Sequence, residues 1–351
     1  MADADVIVAG AGLWGATVAR RLADAGRRVL VLERRAAVGG NCRAATDAAT
    51  GIEVHVYGSH IFHTDNEEVW RFVTRFTDFN GYRHRVIARR EGRDYPLPIG
   101  LPLLRAFFGR GFTAEEAETF LAAPANRDAL FDAFVRGYTA KQWGVPPESV
   151  DPSVIRRLRV RFDDDTSYFT DRWQGIPTEG YGRFFARLLD HPDIEVRCGA
   201  AFSLDQADGR PVYYSGPLDA LFGFRYGPLP WRSLRFETER VAVRDFQGTA
   251  VVNYPEMGIP YTRIHEFKHY HPEWQEAMRC SETIVMREFP ATWHPGDEPY
   301  YPVSTPEAEA LLAKYREAAD AVPGLVVGGR LGSFRYDDMD DTVAAALEVT
   351  R

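Results

Sequence analysis

The feature that most constrains this chain is Gly10-x-Gly12-x-x-Gly15, placed between the apolar run Val6-Ile7-Val8-Ala9 and a helical pattern. The run is short and unbroken, as a strand buried on both faces requires. After the glycines, Val18, Ala19, Leu22 and Ala25 share one helix face, Gly26 ends the helix, and Val29-Leu30-Val31-Leu32 reads as a second strand. In such a unit the first glycine makes the turn, the second lets the backbone approach a pyrophosphate, and the third lets helix and strand pack closely. Free N–H groups at the helix start then face the phosphates. Glu33 ends the second strand, where an acid can bind a ribose hydroxyl. The spacing predicts a dinucleotide site built on Gly10, Gly12, Leu13, Gly15 and Glu33.

Two further glycine turns lie at opposite ends of the chain. Val38-Gly39-Gly40-Asn41 follows Arg34-Arg35 closely, and Val327-Gly328-Gly329-Arg330 follows the strand-like Leu325-Val326-Val327 and precedes a last helix starting near Asp338. This two-ended construction resembles FAD-binding domains of the amine-oxidase type and favours FAD over NAD. Arg34, Gly40, Asn41, Arg330, Asp338 and Met339 thereby join the cofactor set. The first turn of the last helix holds Asp337, Asp338, Asp340 and Asp341, which serve as caps and offset the helix dipole. Its N-terminus is also expected to point at the flavin N1–C2=O edge, where a positive dipole end would stabilise an anionic reduced flavin.

Between these ends the pattern changes twice. Ile52, Val54 and Val56 alternate with Glu53, His55 and Tyr57, a half-buried strand with its apolar side inward. From Leu101 to Tyr138 the period is helical, with Phe131, Phe134, Val135 and Tyr138 on one buried face. Strand-like runs then dominate from Arg157 to about Val303, before a helix capped by Thr305 with Pro306 at its first position and broken by Pro323-Gly324. The expected fold is α/β: a discontinuous FAD-binding Rossmann-like domain with a helical insert and an antiparallel β-sheet domain. The FAD-binding domain takes residues 1–80, about 190–220 and 305–351. The insert takes about 97–150, and the substrate domain about 81–96, 151–189 and 221–304.

Composition narrows the partners. The 351 residues carry 42 Lys+Arg against 50 Asp+Glu, a net charge of −8 with no basic run, which argues against nucleic acid or an acidic membrane. Val6–Ala19, the longest uncharged stretch, is too short to span a bilayer, and the chain opens without a basic secretory segment. Cys42, Cys198 and Cys280 are far apart and in no metal-ligand spacing, which suits a reducing cytoplasm and excludes a disulfide framework or zinc site as the organising feature. Lysine occurs only at 141, 268 and 314, so a lone arginine carries little information here.

Six longer motifs occur in order: Gly58-Ser59-His60-Ile61-Phe62-His63-Thr64, Gly137-Tyr138-Thr139-Ala140-Lys141-Gln142-Trp143-Gly144, Asp171-Arg172-Trp173-Gln174-Gly175-Ile176-Pro177, Pro260-Tyr261-Thr262-Arg263, Gly296-Asp297-Glu298-Pro299-Tyr300-Tyr301-Pro302 and Gly328-Gly329-Arg330. Together they resemble the bacterial UDP-galactopyranose mutases over essentially the whole chain. The resemblance implies a flavin-dependent isomerase that interconverts pyranose and furanose forms of a nucleotide sugar, first of all UDP-galactose, without net redox change. In that family reduced-flavin N5 attacks the anomeric carbon and displaces UDP, and the sugar ring opens and recloses before UDP returns. The reduced FAD implies an external reductant such as NAD(P)H or a reductase.

The resemblance also assigns roles. Arg157 and Arg263 match the arginines that clamp the pyrophosphate, as departure and return of a UDP dianion demand. Beside Arg157, Arg159 stands where the family usually has proline. Tyr138, Thr139 and Trp143 resemble the uridine pocket; Tyr168, Tyr301 and Tyr336 match tyrosines around the phosphates; Asn253 and Arg232 are further contacts for the nucleotide sugar. His60 and His63 match the flavin-facing loop, and Arg330 approaches the FAD phosphates or the flavin edge. The segment from Pro98 to Tyr138 is shorter than in bacterial relatives, where it contributes gating loops and a dimer interface, so a homodimer is left open. His84 stands where asparagine is usual near the substrate pocket, which points to the sugar as the variable. The alternatives are a mutase for another nucleotide sugar, an amine-oxidase-type flavin oxidoreductase and a non-catalytic nucleotide-sugar binder. No second glycine fingerprint for NAD(P)H is present, and paired phosphate arginines have no role in amine oxidation.

Overall fold

The computed structural model describes residues 4–144, 146 and 160–351. Val6–Ala9 and Val29–Glu33 are strands, joined by a helix over Leu13–Asp24, with Gly26 at positive φ just past its end. They form the middle of a five-stranded, all-parallel sheet in the order 325–327, 212–214, 6–9, 29–33, 194–198. Alternate residues feed opposite cores: Val6, Val8, Val29 and Val31 pack under the helices, while Ile7, Ala9, Leu30 and Leu32 pack with Val212 and Tyr214. This two-sided burial explains why the strands read as unbroken apolar runs. The helix Leu13–Asp24 packs against the last helix, Met339–Val349, and against Gly180–Leu189. The nucleotide fold is thus assembled from both ends of the chain.

The second sheet has seven strands in the order 301–302, 231–241, 283–292, 263–266, 251–253, 86–90, 93–97. All its pairs are antiparallel except 251–253 with 86–90, which run parallel. Its backbone is the long pair Trp231–Val241 with Thr283–Thr292. Thr305 caps the helix Pro306–Asp320 through its side chain, as the sequence indicates.

Two sequence expectations change. In the strand Glu53–His55, Glu53 and His55 are buried and Val54 is half-buried, so the polar side faces inward. The reason is a set of internal partners: Glu53 accepts from the Tyr181 N–H at 2.9 Å and from His271 Nε2 at 3.1 Å. In the insert, Leu101–Phe108, Ala114–Ala122, Pro124–Leu130 and Gly137–Trp143 are α-helical, but Phe131–Arg136 is π-helical. The wider turn rotates the expected face. Phe134 and Val135 are buried, and Phe131 and Tyr138 are half-buried.

Candidate active site

A cleft of about 580 Å³ opens at the carboxyl ends of the parallel strands, where ligands of doubly wound folds sit. Gly10, Gly12, Leu13, Glu33, Arg34, Gly40, Asn41, His60, Arg330, Asp338 and Met339 all line it. Gly15 does not: a Cβ there would run into the Gly10 carbonyl oxygen, so this glycine serves helix–strand packing. Gly40 has φ +55°, and a Cβ on it would lie 2.8 Å from Gly12 Cα, so the two glycine turns touch and leave a groove only backbone can border. Glu33 is buried; its Oε2 accepts the Ala11 N–H and its Oε1 the Arg35 N–H, both at 2.8 Å. A carboxylate has about four acceptor positions, so capacity remains for a diol.

Arg34 and Arg35 both donate to Glu298 Oε2 at 2.5 Å, and Arg35 also donates to Asn41 Oδ1 at 3.0 Å. These pairs tie the roof segment bearing Trp293, Gly296 and Asp297, which lines the cleft, to the ribose end. Arg330 has no carboxylate ion pair among the described residues, and burial lowers its pKa. Asp338 caps the last helix in a capping box with Asp341, and Asp340 Oδ2 accepts the Thr64 hydroxyl at 2.9 Å, fixing the helix start beside the His63 strand.

Beyond the cleft, a second group assembles around Arg263. Its guanidinium donates to the Tyr138 hydroxyl, and its Nε lies 3.3 Å from Glu288 Oε1. Burial opposes the charge, yet Glu288 and the tyrosines 138, 301 and 168 hold its pKa well above the ordinary range. Tyr301 stacks on Tyr336 with ring centroids 5.4 Å apart, and Trp143 lies 6.2 Å from Tyr301. Asn253 is the cross-strand partner of Arg263, and its buried Oδ1 has no hydrogen-bond partner among the described residues. Thr139 is buried on the Tyr138 helix. Arg232 donates through Nε to the Gln142 carbonyl at 3.0 Å and through Nη1 to Thr292 Oγ1 at 3.3 Å, which ties it to the end of the Trp143 helix. Arg157, with Arg156 and Arg159, lies outside the described residues.

The two groups are joined by a one-way hydrogen-bond chain that sequence reasoning missed. Tyr270 donates to Ser59, Ser59 Oγ to His265 Nδ1 at 2.5 Å, and His265 Nε2 to Glu288 Oε2 at 3.1 Å, with Arg263 on the other carboxylate oxygen. Ser59 belongs to the loop that carries His60. His60 Nδ1 donates to the Gly58 carbonyl at 2.8 Å, which leaves its Nε2 a bare acceptor. Burial and the adjacent His55 push its pKa down to about 4. His63 lies 3.2 Å from Asp171 and stacks on Phe169 at 3.8 Å. Phe169 also packs on His84, and Tyr168 meets His84 edge to face. The Tyr82 hydroxyl and His84 Nδ1 share a hydrogen bond of 3.2 Å, which leaves Nε2 as the other polar atom of the ring. Burial, then Arg263, pushes the His84 pKa down to about 3. Hydrophobicity patterns carry no signal for His265 or Glu288; Glu288 is revealed by its place opposite Arg263 in the sheet register, and His265 by lying two residues after Arg263 on the same strand.

A parallel nucleotide sheet with a glycine-bordered cleft, joined to an arginine and tyrosine cluster on an antiparallel sheet, is the architecture of a nucleotide-cofactor enzyme. The comparisons agree. A sequence model of UDP-galactopyranose mutase matches residues 133–336, and an NAD(P)-binding Rossmann-like domain matches residues 8–76. A probable UDP-galactopyranose mutase of Klebsiella pneumoniae is 37% identical over 99% of this chain and 94% of that protein. A dTDP-fucopyranose mutase of Escherichia coli is 35% identical over 98% and 96%, respectively. The crystal structure of a reduced UDP-galactopyranose mutase superposes with a TM-score of 0.70 at 16% identity, covering 99% of this chain and 95% of the other. The chain belongs to the UDP-galactopyranose mutase family and is an isomerase of that type. No helix among the described residues is long and apolar enough to cross a membrane.

Proposed function

We propose that this enzyme interconverts UDP-galactopyranose and UDP-galactofuranose, with reduced FAD in the cleft. The observation that carries the reading is Arg263, a guanidinium fixed by Glu288 and Tyr138, surrounded by Tyr168 and Tyr301, and linked through His265 and Ser59 to the loop of His60. The touching turns at Gly12 and Gly40, the spare acceptor positions of Glu33 and Arg330, which has no carboxylate ion pair among the described residues, fit a dinucleotide diphosphate. Reduced FAD, when bound, would supply a nucleophilic nitrogen for the anomeric carbon. Arg263, with Arg157 as the second clamp, holds the departing UDP charge in place and keeps it close for the return. Trp143, Tyr138 and Thr139 bind the uridine, while Tyr301, Tyr336 and Tyr168 bind around the phosphates. Neutral His60 presents a lone pair on the cofactor side, and the start of the last helix places backbone N–H groups where negative charge on the cofactor would collect.

A second reading, a mutase for a different nucleotide sugar, is favoured by the 35% identity to a dTDP-fucopyranose mutase and by His84 beside the Arg263 cluster. Electrons would come from NAD(P)H or a reductase, and we place the enzyme in the cytoplasm, with a homodimer as the assembly to test. The deciding experiment is turnover of a panel of UDP- and dTDP-sugars by chemically reduced holoenzyme. Catalytic conversion of UDP-galactose in large excess over reductant supports the reading. Electron transfer stoichiometric with product would support an oxidoreductase instead.

A further inference from the structure

We propose that Lys141 is a positioning residue for Arg263 and Tyr138, its ammonium acting as a built-in monovalent cation that locks the uridine-side helix to the segment leading into the Arg263 strand. Lys141 Nζ donates to four backbone carbonyls of one loop: Tyr254 at 2.5 Å, Glu256 and Ile259 at 3.0 Å, and Tyr261 at 2.9 Å. An ammonium has three protons, so four oxygens at these distances share them and are held by the charge as much as by directed bonds. This is the way a carbonyl ring replaces the water shell of a potassium ion. Burial pushes the Lys141 pKa down to about 8, so at neutral pH the group keeps its proton.

The cage stands where two parts of the site meet. Lys141 lies one turn after Tyr138 on the helix Gly137–Trp143, the helix that also carries Thr139 and Trp143. The carbonyl of Tyr261 is two residues before Arg263, whose guanidinium returns to the Tyr138 hydroxyl. Helix and loop are therefore joined at both ends of a closed ring, by Lys141 on one side and by Tyr138–Arg263 on the other. The approach is close: a Cβ on Gly137 would strike the Pro255 carbonyl oxygen. Without the ammonium, four carbonyls would face an apolar end and the loop would open to reach water.

The test uses holoenzyme with Lys141→Met, which keeps the aliphatic stem, and Lys141→Ala, which leaves room for a free cation. Two readouts are followed: affinity for UDP by calorimetry, and hydrogen exchange of the amides in 254–262. The expectation is a loss of UDP affinity of about tenfold or more in both variants, faster exchange in that segment, and unchanged FAD content. Potassium or methylammonium, but not lithium, should restore both properties in the alanine variant. The inference rests on the mutase reading only in naming UDP as the probe; if wild-type protein fails to bind UDP, that reading fails and the exchange readout still decides the role of Lys141. Unchanged exchange in the methionine variant, or faster exchange that no cation reverses in the alanine variant, would overturn it. Loss of FAD by the methionine variant would show a folding requirement instead, and would overturn it as well.

Discussion

Asn253 and Arg263 stand opposite each other on neighbouring antiparallel strands, so their side chains leave the sheet on the same face. Among the described residues the buried Asn253 Oδ1 has no hydrogen-bond partner, while Arg263 Nε faces Glu288 Oε1 at 3.3 Å. A buried acceptor left open beside an ion-paired guanidinium is a place where the donor of a polar ligand would fit.

Arg263→Ala is expected to lower kcat by about 10²-fold or more, the scale for losing one preorganised charge stabiliser. FAD content should stay at the wild-type level, because Arg263 lies outside the cofactor cleft. Arg157→Ala should behave alike. Steady-state kinetics with reduced enzyme and UDP-galactose checks both; activity within a few-fold of wild type would remove the arginines from the mechanism.

Glu33→Gln should weaken FAD binding by about tenfold or more. The amide's NH₂ cannot accept, so either the Ala11 or the Arg35 N–H loses its partner, at a cost of about 1–3 kcal/mol for a buried donor. Once saturated with FAD, the variant should turn over near the wild-type rate. Equal FAD dissociation constants for the two proteins would count against Glu33 as the ribose acid.

The glycine turns and both ends of the nucleotide fold were legible because backbone geometry there demands particular residues: Gly15 for packing, Gly40 for its contact with Gly12. The second site was less legible. Tyr138, Tyr168, Tyr301 and Arg263 come from four separated segments, and only the register of the seven-stranded sheet and the insert helix bring them together. The inward-facing polar residues of Glu53–His55 defeated an alternation argument because their partners, Tyr181 and His271, are distant in sequence. Arg232, read as a substrate contact, also holds the end of the Trp143 helix through its Nε, a use that no local pattern announces.

His84→Asn should change relative kcat/KM between UDP-galactose and an analogue altered at one hydroxyl by about tenfold, roughly 1.4 kcal/mol. His84 has one ring nitrogen, Nε2, left for a ligand, because Nδ1 is taken by Tyr82, whereas asparagine offers an acceptor and two donors. A pocket built for one pattern rejects a sugar lacking it by leaving buried groups unpaired. The measurement is a pair of competition assays; equal effects on every sugar would place His84 behind the pocket rather than in it.

Acidification should destabilise the holoenzyme through His84 and His60. Their folded pKa values, about 3 and about 4, lie below the ordinary 6.5, so between those limits the unfolded chain binds more protons. Stability is therefore full above pH 6.5 and falls as pH drops from 6.5 toward 4. His269 runs the other way, since the net shift produced by Glu266 and Asp245 raises its pKa, but that contribution is already complete by pH 6.5. Glu53, held near 2, loses its contribution only below about 4.3. Thermal unfolding from pH 7.5 to 5 should show a declining midpoint, with a shallower decline in His84→Asn. A flat profile in wild type would contradict the neutral-imidazole arrangement.

The strand order of the parallel sheet has a consequence for how the molecule is made. Val212–Tyr214 pairs with Val6–Ala9 on one side and with Leu325–Val327 on the other, and the second partner lies about 110 residues further along the chain. At about 5–20 residues per second, a ribosome takes roughly 5–20 s to travel from one to the other. For that interval the nascent sheet presents an open edge of Val212, Tyr213 and Tyr214. The last helix, which covers Leu13–Asp24, arrives later still. The cleft is therefore completed only after Met339–Val349 has been made, and the cell has to shield an apolar edge until Leu325–Val327 arrives.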